Sequence, residues 1–208
     1  MIRYYPTLQQ AQKIWQEGLD YRTQTTNYVN REDYIFHTRG VAEAAKIIAA
    51  HTKDMDPEKA YILGLLHDYG KKYDEKACGL FHGQVGFDEM NNMGYYDVAK
   101  ICLTHSFPRK DFEEIHYTSY LPEWIQWAKH ELSKVDYDDY DRLIQLCDMF
   151  FEATQKVDFE TRFKKIIERY NLSSDVINVL REDAERNLKY FENKTGCNIY
   201  DLLNIKHL

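Results

Sequence analysis

The chain has 208 residues, 44% of them hydrophobic, with a formal net charge of −7 and a pI of about 5.6. This length and hydrophobic content suit one folded domain with a sizeable core and exclude a chain that is disordered throughout. The acidic balance argues against non-specific nucleic-acid binding, which uses a basic surface, but it is compatible with a small phosphorylated substrate held by a metal ion.

Two further sequence features concern the compartment. No apolar run approaches the roughly 20 residues needed to cross a bilayer, and the N-terminus lacks the apolar core of a signal peptide. The four cysteines show no CxxC spacing, and three of them lie in apolar helical runs, as reduced buried thiols do. We therefore expect a cytoplasmic protein without a membrane segment.

Apolar residues recur with helical periodicity along nearly the whole chain, beginning with a first helix at about residues 8–20. A polar loop covers residues 22–30, and Asn30 at its end is a candidate cap for a second helix that runs to about residue 52.

A third helix is predicted to begin at Asp56 and Pro57, because aspartate is a favourable cap and proline suits the first helical turn. It is expected to end near Tyr69, since Gly70 suits a left-handed cap.

The remaining predicted helices are shorter at first and longer towards the C-terminus. They cover 81–92, 96–106, 122–134, a segment through 140–154 capped by Asp136 or Asp138, 158–170 and 174–194, with Gly94 and Gly196 as breaks. No clear strand, flexible linker or internal repeat is evident. The predicted fold class is all-α, with 1–208 forming a single domain.

The segment ILGLLHDYGKK, residues 62–72, places His67 and Asp68 at the end of an apolar helical run. A buried polar group without a partner costs roughly 2–7 kcal/mol, so this pair needs partners. Adjacent helical residues point about 100° apart, so the pair either brackets a metal ion or satisfies free backbone groups at the helix end.

Other polar side chains in apolar stretches are candidate partners. They are His37, His82, His105 and Asp148. Taken alone, His37 favours a core histidine bonded to a backbone carbonyl, and Asp148 is compatible with a buried partner such as Arg39 or Arg142. Gly86, four residues after His82, is expected to leave room above that ring. Together these imidazoles and carboxylates suit one or two transition-metal ions.

This pattern resembles the HD superfamily of metal-dependent phosphohydrolases. The order of residues matches the H…HD…H…H…D pattern of its two-metal members, and HDYGK resembles its HD-x-GK variant. The matching positions are His37, His67, Asp68, His82, His105 and Asp148. The resemblance covers roughly residues 30–155 and implies a helical-bundle core there, with about 156–208 as a C-terminal helical extension.

The resemblance also implies roles for the matching residues. The first ion would be bound by a set of four residues, namely His37, His67, Asp68 and Asp148. Asp68 would bridge to a second ion held by His82 and His105. Mixed imidazole and carboxylate ligands suit Fe, Mn, Co, Ni or Zn. Lys71 would act with Asp68 in catalysis by contacting the substrate phosphate or assisting protonation; alternatively, it meets free carbonyls at the helix end.

The segment THSFPRK adds Arg109 and Lys110 directly after His105. These cations are candidates for binding the non-reacting phosphate oxygens, or they form a solvated basic turn. The strings HTRGVAEAA and ILGLLHDYGKK are similar to bacterial dinucleoside polyphosphate hydrolases, although the Phe-Pro-Arg sequence does not follow that branch.

The resemblance therefore implies hydrolysis of a small phosphate ester, with a nucleotide as the expected substrate, by a metal-activated water. Two alternatives share the same ligand set: a diiron oxygenase of the HD fold and a non-catalytic nucleotide-binding sensor. We expect no membrane or nucleic-acid partner, and the oligomeric state cannot be read from the sequence.

Overall fold

The computed structural model describes residues 4–25, 31–73, 81–110, 121–170, 172 and 174–206. Asn30, the predicted helix cap, lies outside the described residues, and so does Cys78. The helices are α1 (Leu8–Thr25), α2 (Arg31–Ala50), α3 (Pro57–Leu66), a 3-10 helix (Tyr69–Lys72), α4 (His82–Asn92), α5 (Tyr96–Thr104), α6 (Pro122–Leu132), α7 (Asp139–Asp148), α8 (Phe159–Tyr170), α9 (Ser174–Thr195) and α10 (Ile199–Leu202). The predicted all-α class is confirmed. None of the described helices combines the length and apolar character needed to cross a membrane.

Local capping chemistry sets the start of two helices as the sequence predicts. The Asp56 carboxylate accepts hydrogen bonds from the backbone N–H groups of Glu58 and Lys59 at the start of α3. Asp138, rather than Asp136, caps α7 through a capping box with Asp141.

The helix predicted through 140–154 is shorter than expected. Helix α7 ends at Asp148, and a small antiparallel hairpin follows, with strands β1 (Phe151–Glu152) and β2 (Gln155–Lys156). Ala153, at the turn between the strands, has a φ of 49°, which is a left-handed conformation. Hydrophobic periodicity did not predict this turn, because the segment is apolar and aromatic and contains no glycine or proline to mark a break.

Gly70 does not have the left-handed conformation predicted for it. Among the described residues, the glycines with positive φ are Gly94 at 80° and Gly196 at 70°, which confirms those two predicted breaks. Helix α3 ends earlier, at Leu66, and Gly70 lies in the 3-10 helix. A Cβ on Gly70 would lie 1.9 Å from the His82 carbonyl oxygen, so glycine is needed for close packing of the 3-10 helix against α4.

Two other glycines also permit close contacts between helices. A Cβ on Gly64 of α3 would lie 2.8 Å from Ala42 Cα, so α2 and α3 touch through their backbones. A Cβ on Gly86 would lie 2.8 Å from Cys102 Sγ. The prediction that Gly86 leaves space above His82 is therefore wrong, because α5 fills the space.

The C-terminal helices share the main hydrophobic core with the rest of the chain. Phe159 at the start of α8 stacks on Phe150 at a ring distance of 5.2 Å, and Tyr200 of α10 contacts both rings. Phe191 of α9 is fully buried in the same cluster. This packing brings α8 and α9 beside the end of α7, where Asp148 lies.

Candidate metal centre

Six polar side chains converge where several helices end, and we call them the ligand cluster. They are His37 of α2, His67 and Asp68 directly after α3, His82 at the start of α4, His105 directly after α5, and Asp148 at the end of α7. These are the six residues that the sequence pattern predicted. They form two groups of three, and within each group the donor atoms lie within 4.8 Å of one another.

The first group consists of His37, His67 and Asp148. His37 Nε2 lies 3.3 Å from His67 Nε2 and 3.0 Å from Asp148 Oδ1. The contact between α2 and α3 at Gly64 explains the approach of the two imidazoles, because that glycine is one helical turn before His67.

The second group consists of Asp68, His82 and His105, all buried. The Nε2 atoms of the two histidines lie 3.5 and 3.4 Å from Asp68 Oδ1. The other oxygen, Asp68 Oδ2, lies 3.4 Å from the Nε2 atoms of both His37 and His67. Asp68 therefore has one oxygen towards each group, which is the arrangement expected of a bridging carboxylate.

Backbone hydrogen bonds orient two of the rings. His67 Nδ1 lies 2.7 Å from Gly64 O, and His105 Nδ1 lies 3.0 Å from Ile101 O. A carbonyl only accepts, so each Nδ1 carries a proton, and in the neutral ring Nε2 then has the lone pair that can bind a metal ion. Burial lowers the pKa of His67 to about 4, so that this imidazole is neutral near pH 7.

Both carboxylates in the cluster are ionised. Burial acts to raise their pKa values, but neighbouring positive groups outweigh it. Lys71 and the surrounding histidines hold the pKa of Asp68 well below its usual range. His37, and then Arg162, do the same for Asp148.

The donor atoms of these residues fit divalent metal ions. Asp68 Oδ1 is buried and has no hydrogen-bond partner among the described residues, which is costly for an ionised oxygen unless a cation meets it. The imidazole nitrogens face one another at 3.2–3.3 Å, and lone pairs in such positions are favourable around a shared cation.

Lys71 lies beside the ligand cluster. Its Nζ donates a hydrogen bond of 2.6 Å to Asp68 Oδ2, while its side chain remains 39% exposed. The opposite charge of Asp68 helps to raise the pKa of Lys71 against the effect of burial, which is the larger single influence. The lysine is thus a cation within reach of both the cluster and solvent.

Arg109 and Lys110 are not brought to the ligand cluster. Arg109 Nε binds Asp183 of α9 at 2.6 Å, and Lys110 Nζ donates to the Val135 carbonyl. Neither residue lines the two cavities beside the cluster. Their phosphate-binding role stays a prediction from the sequence, and the contacts instead join the end of α5 to later helices.

A cation from the C-terminal extension lies close to Asp148. Arg162 Nη2 of α8 lies 3.7 Å from Asp148 Oδ1. The partners suggested by the sequence lie elsewhere, since Arg39 stacks on Trp15 and Arg142 binds Asp139.

A second arginine of α8 accompanies Arg162 in the lining of the cavities. Arg169 is seven residues later and therefore on the same helix face. Neither arginine is predicted from the sequence as a site residue, although their spacing of seven residues is a usable signal. On an amphipathic helix, such cations resemble a solvated face.

Comparison with known proteins agrees with this geometry. No curated protein and no solved structure matches the chain. The family model for the HD domain matches residues 34–153, a range that is more than half of the chain and contains all six residues of the ligand cluster. The chain therefore belongs to the HD domain family.

Proposed function

We propose that this protein is a metal-dependent phosphohydrolase that acts on a small phosphate ester, with a nucleotide as its substrate. The observation that carries the proposal is the position of Asp68, whose two oxygens face two separate groups of ligand side chains. Membership of the HD domain family supports the reaction class, because HD domains are typical of hydrolases that bind divalent metals.

The residues that would hold the ions are the six of the ligand cluster, with Fe, Mn, Co, Ni or Zn as suitable metals. When bound, such ions lower the pKa of water and offset negative charge on a phosphoryl group. The chain itself supplies the orientation: the carbonyls of Gly64 and Ile101 hold the rings of His67 and His105.

Lys71 is well placed to meet the substrate directly. Its ammonium group lies against the cluster and lines both neighbouring cavities. A cation in this position can donate to a phosphoryl oxygen and stabilise the charge that develops there. It can also supply a proton to the leaving oxygen, which is the role of a general acid.

The decisive experiment combines elemental analysis with a hydrolysis panel of nucleotides and sugar phosphates, run without oxygen and with each candidate metal. We expect one or two ions per chain and release of phosphate under anaerobic conditions. No phosphate release under anaerobic conditions, with turnover that appears only when O₂ is admitted and consumed, would instead support the oxygenase. Tight nucleotide binding with no turnover under any metal would support the sensor, and either result would overturn the proposal.

A further inference from the structure

Two cavities adjoin the ligand cluster, and helix α8 contributes to the walls of both. One cavity, of about 220 Å³, is lined by His105 and Asp148 together with side chains of α8 and α9. The other, of about 280 Å³, is lined by His37 and Asp68. The residues common to both cavities are Lys71, Arg162, Arg169 and Tyr170. A molecule bound at the cluster would therefore meet the cations of α8.

One carboxylate holds both arginines of this wall. Glu152 of β1 binds Arg162 through one oxygen and Arg169 through the other. Arg162 also lies 3.7 Å from Asp148 Oδ1. The first cavity is lined by three cations, Arg162, Arg169 and Lys71, against the carboxylates of Asp148 and Asp183. Arg162 has a side chain only 12% exposed, and its Nε is buried without a hydrogen-bond partner among the described residues. An anion beside it would satisfy this donor, and phosphate oxygens match the guanidinium geometry well.

The cavity between α8 and α9 is different in character beyond these cations. Its wall contains the apolar side chains Phe163, Ile166, Leu172, Leu180 and Ala184. Asp183 also lines it, but Asp183 Oδ2 accepts a 2.6 Å hydrogen bond from Arg109 Nε, so its charge is offset. Such a wall favours an uncharged, mainly apolar group.

The amides of Asn187 and Gln145 complete this cavity. Asn187 Nδ2 donates to Gln145 Oε1 at 3.3 Å, and both residues line the wall. A few polar groups in an apolar wall are what orients a ring that carries hydrogen-bonding edges.

We propose that α8 and α9 complete the substrate site: Arg162 and Arg169 bind the phosphate, and the cavity between the helices binds the uncharged ring-bearing group of the same ester. The substrate class is thus a monoester such as a nucleoside monophosphate. This proposal rests on the proposed function and deepens it. Glu152 is a positioning residue, because it acts by holding the two guanidinium groups.

Inorganic phosphate is the probe for the cationic half of the site. Its affinity is measured by titration calorimetry on the full chain after removal of metal, so that the ligand cluster contributes no bound cation. We expect Arg169→Gln to weaken phosphate binding about tenfold, which corresponds to the loss of one charge-assisted contact. Lys165→Gln is the matched control, because this substitution also removes one positive charge from α8. Lys165 is exposed and pairs with Glu168.

Adenosine, which has no phosphate, is the probe for the apolar half. Ala184→Leu fills part of the cavity, and we expect it to weaken adenosine binding about tenfold while phosphate affinity changes less than about twofold. Leu180→Ala removes part of the wall and should weaken adenosine binding severalfold even if Ala184→Leu misfolds. Leu188→Ala is the control, since Leu188 lies on the same helix and packs on the same core as Leu180 but does not line the cavity.

The two probes make the result decisive. Loss of phosphate affinity in Arg169→Gln alone, together with loss of adenosine affinity in the cavity variants alone, supports the divided site. Equal phosphate affinities for Arg169→Gln and Lys165→Gln, or equal adenosine affinities for Leu180→Ala and Leu188→Ala, overturn it. Neither binding measurement needs turnover. A failed hydrolysis panel would therefore reject the proposed reaction without deciding the result of the binding measurements.

Discussion

The Nε2 atoms of His82 and His105 lie 3.2 Å apart, although the two residues are separated by 23 positions in the chain. His105 Nδ1 is bonded to the Ile101 carbonyl, which orients the ring so that its Nε2 faces His82. Asp68 Oδ1 lies within 3.5 Å of both rings. This contact is the geometric basis for a second metal position, and it makes the occupancy of the cluster testable one ion at a time.

Replacement of Asp68 tests the bridging role. We expect Asp68→Ala to lose both ions and to reduce turnover about a thousandfold or more, because its oxygens face both groups. Asp148→Asn is the comparison, since Asp148 belongs to the first group alone, and it should retain one ion. Elemental analysis of purified protein checks both variants. A bridging role is untenable if Asp68→Ala keeps its full metal content.

Replacement of Lys71 separates metal binding from catalysis. The Lys71→Ala variant should keep its metal, because a protonated lysine is not a metal ligand. It should hydrolyse substrate about 10²–10³-fold more slowly, because a donor to the phosphoryl group is lost. Lys71→Arg keeps the charge and should recover part of the rate. Steady-state kinetics with parallel metal analysis give the answer. Unchanged kinetics for Lys71→Ala across the substrate panel would mean that the side chain serves only the local structure.

Gly70 links backbone packing to the metal centre. Gly70→Ala places a methyl group 1.9 Å from the His82 carbonyl oxygen, so α4 or the 3-10 helix must shift. We expect a loss of about 1–3 kcal/mol in the free energy of unfolding and weaker binding of the second ion, because His82 moves with α4. Urea denaturation and metal titration measure the two effects.

Gly196→Ala is the control for this substitution. Gly196 has a φ of 70° and open space around its Cβ position, so the variant should lose about 1 kcal/mol through backbone strain. Its metal binding should equal that of the unaltered chain. If Gly70→Ala binds both ions as tightly as Gly196→Ala, the proposed link between this glycine and His82 is absent.

Lys194 contributes stability within a defined pH window. Its Nζ lies 2.6 Å from Asp139 Oδ2 and 2.7 Å from Asp54 Oδ2, joining α9 to the start of α7. These carboxylates raise the pKa of Lys194. Although burial acts upward, Lys194 and Tyr190 hold the pKa of Asp139 below its usual value.

The sign of each shift gives the window. A lowered carboxyl pKa stabilises the fold above the unfolded value of about 3.9, and a raised lysine pKa stabilises it below about 10.4. Lys194→Met should therefore cost about 1 kcal/mol between about pH 5 and pH 10, and less as the pH falls towards 3. Lys189→Met, on the exposed side of α9, should change stability by less than about 0.5 kcal/mol. A cost for Lys194→Met that is the same at pH 3 and pH 7 would contradict this account.

Much of the fold was readable because its signals are local. Asp56 with Pro57, and the breaks at Gly94 and Gly196, act within one helical turn, and each has the structural role that its residue type predicts. Gly70 and Gly86 were misread for the opposite reason. Their importance comes from the backbone of His82 and the side chain of Cys102, which approach only in the folded chain.

The candidate site divides in the same way. A polar residue within an apolar run is visible in the sequence, so the six members of the ligand cluster could be predicted without knowledge of their distances. Arg162 and Arg169 were not predicted, because cations on an amphipathic helix look like a solvated face.

By itself, the sequence determined the helical class, the cap at Asp56 and the ligand types, since periodicity and side-chain chemistry belong to neighbouring residues. Tertiary structure alone decided that Asp68 faces two groups of ligands and that α8 turns its arginines towards them. Those relationships depend on how helices from distant segments pack, and packing is set by contacts that no local pattern contains.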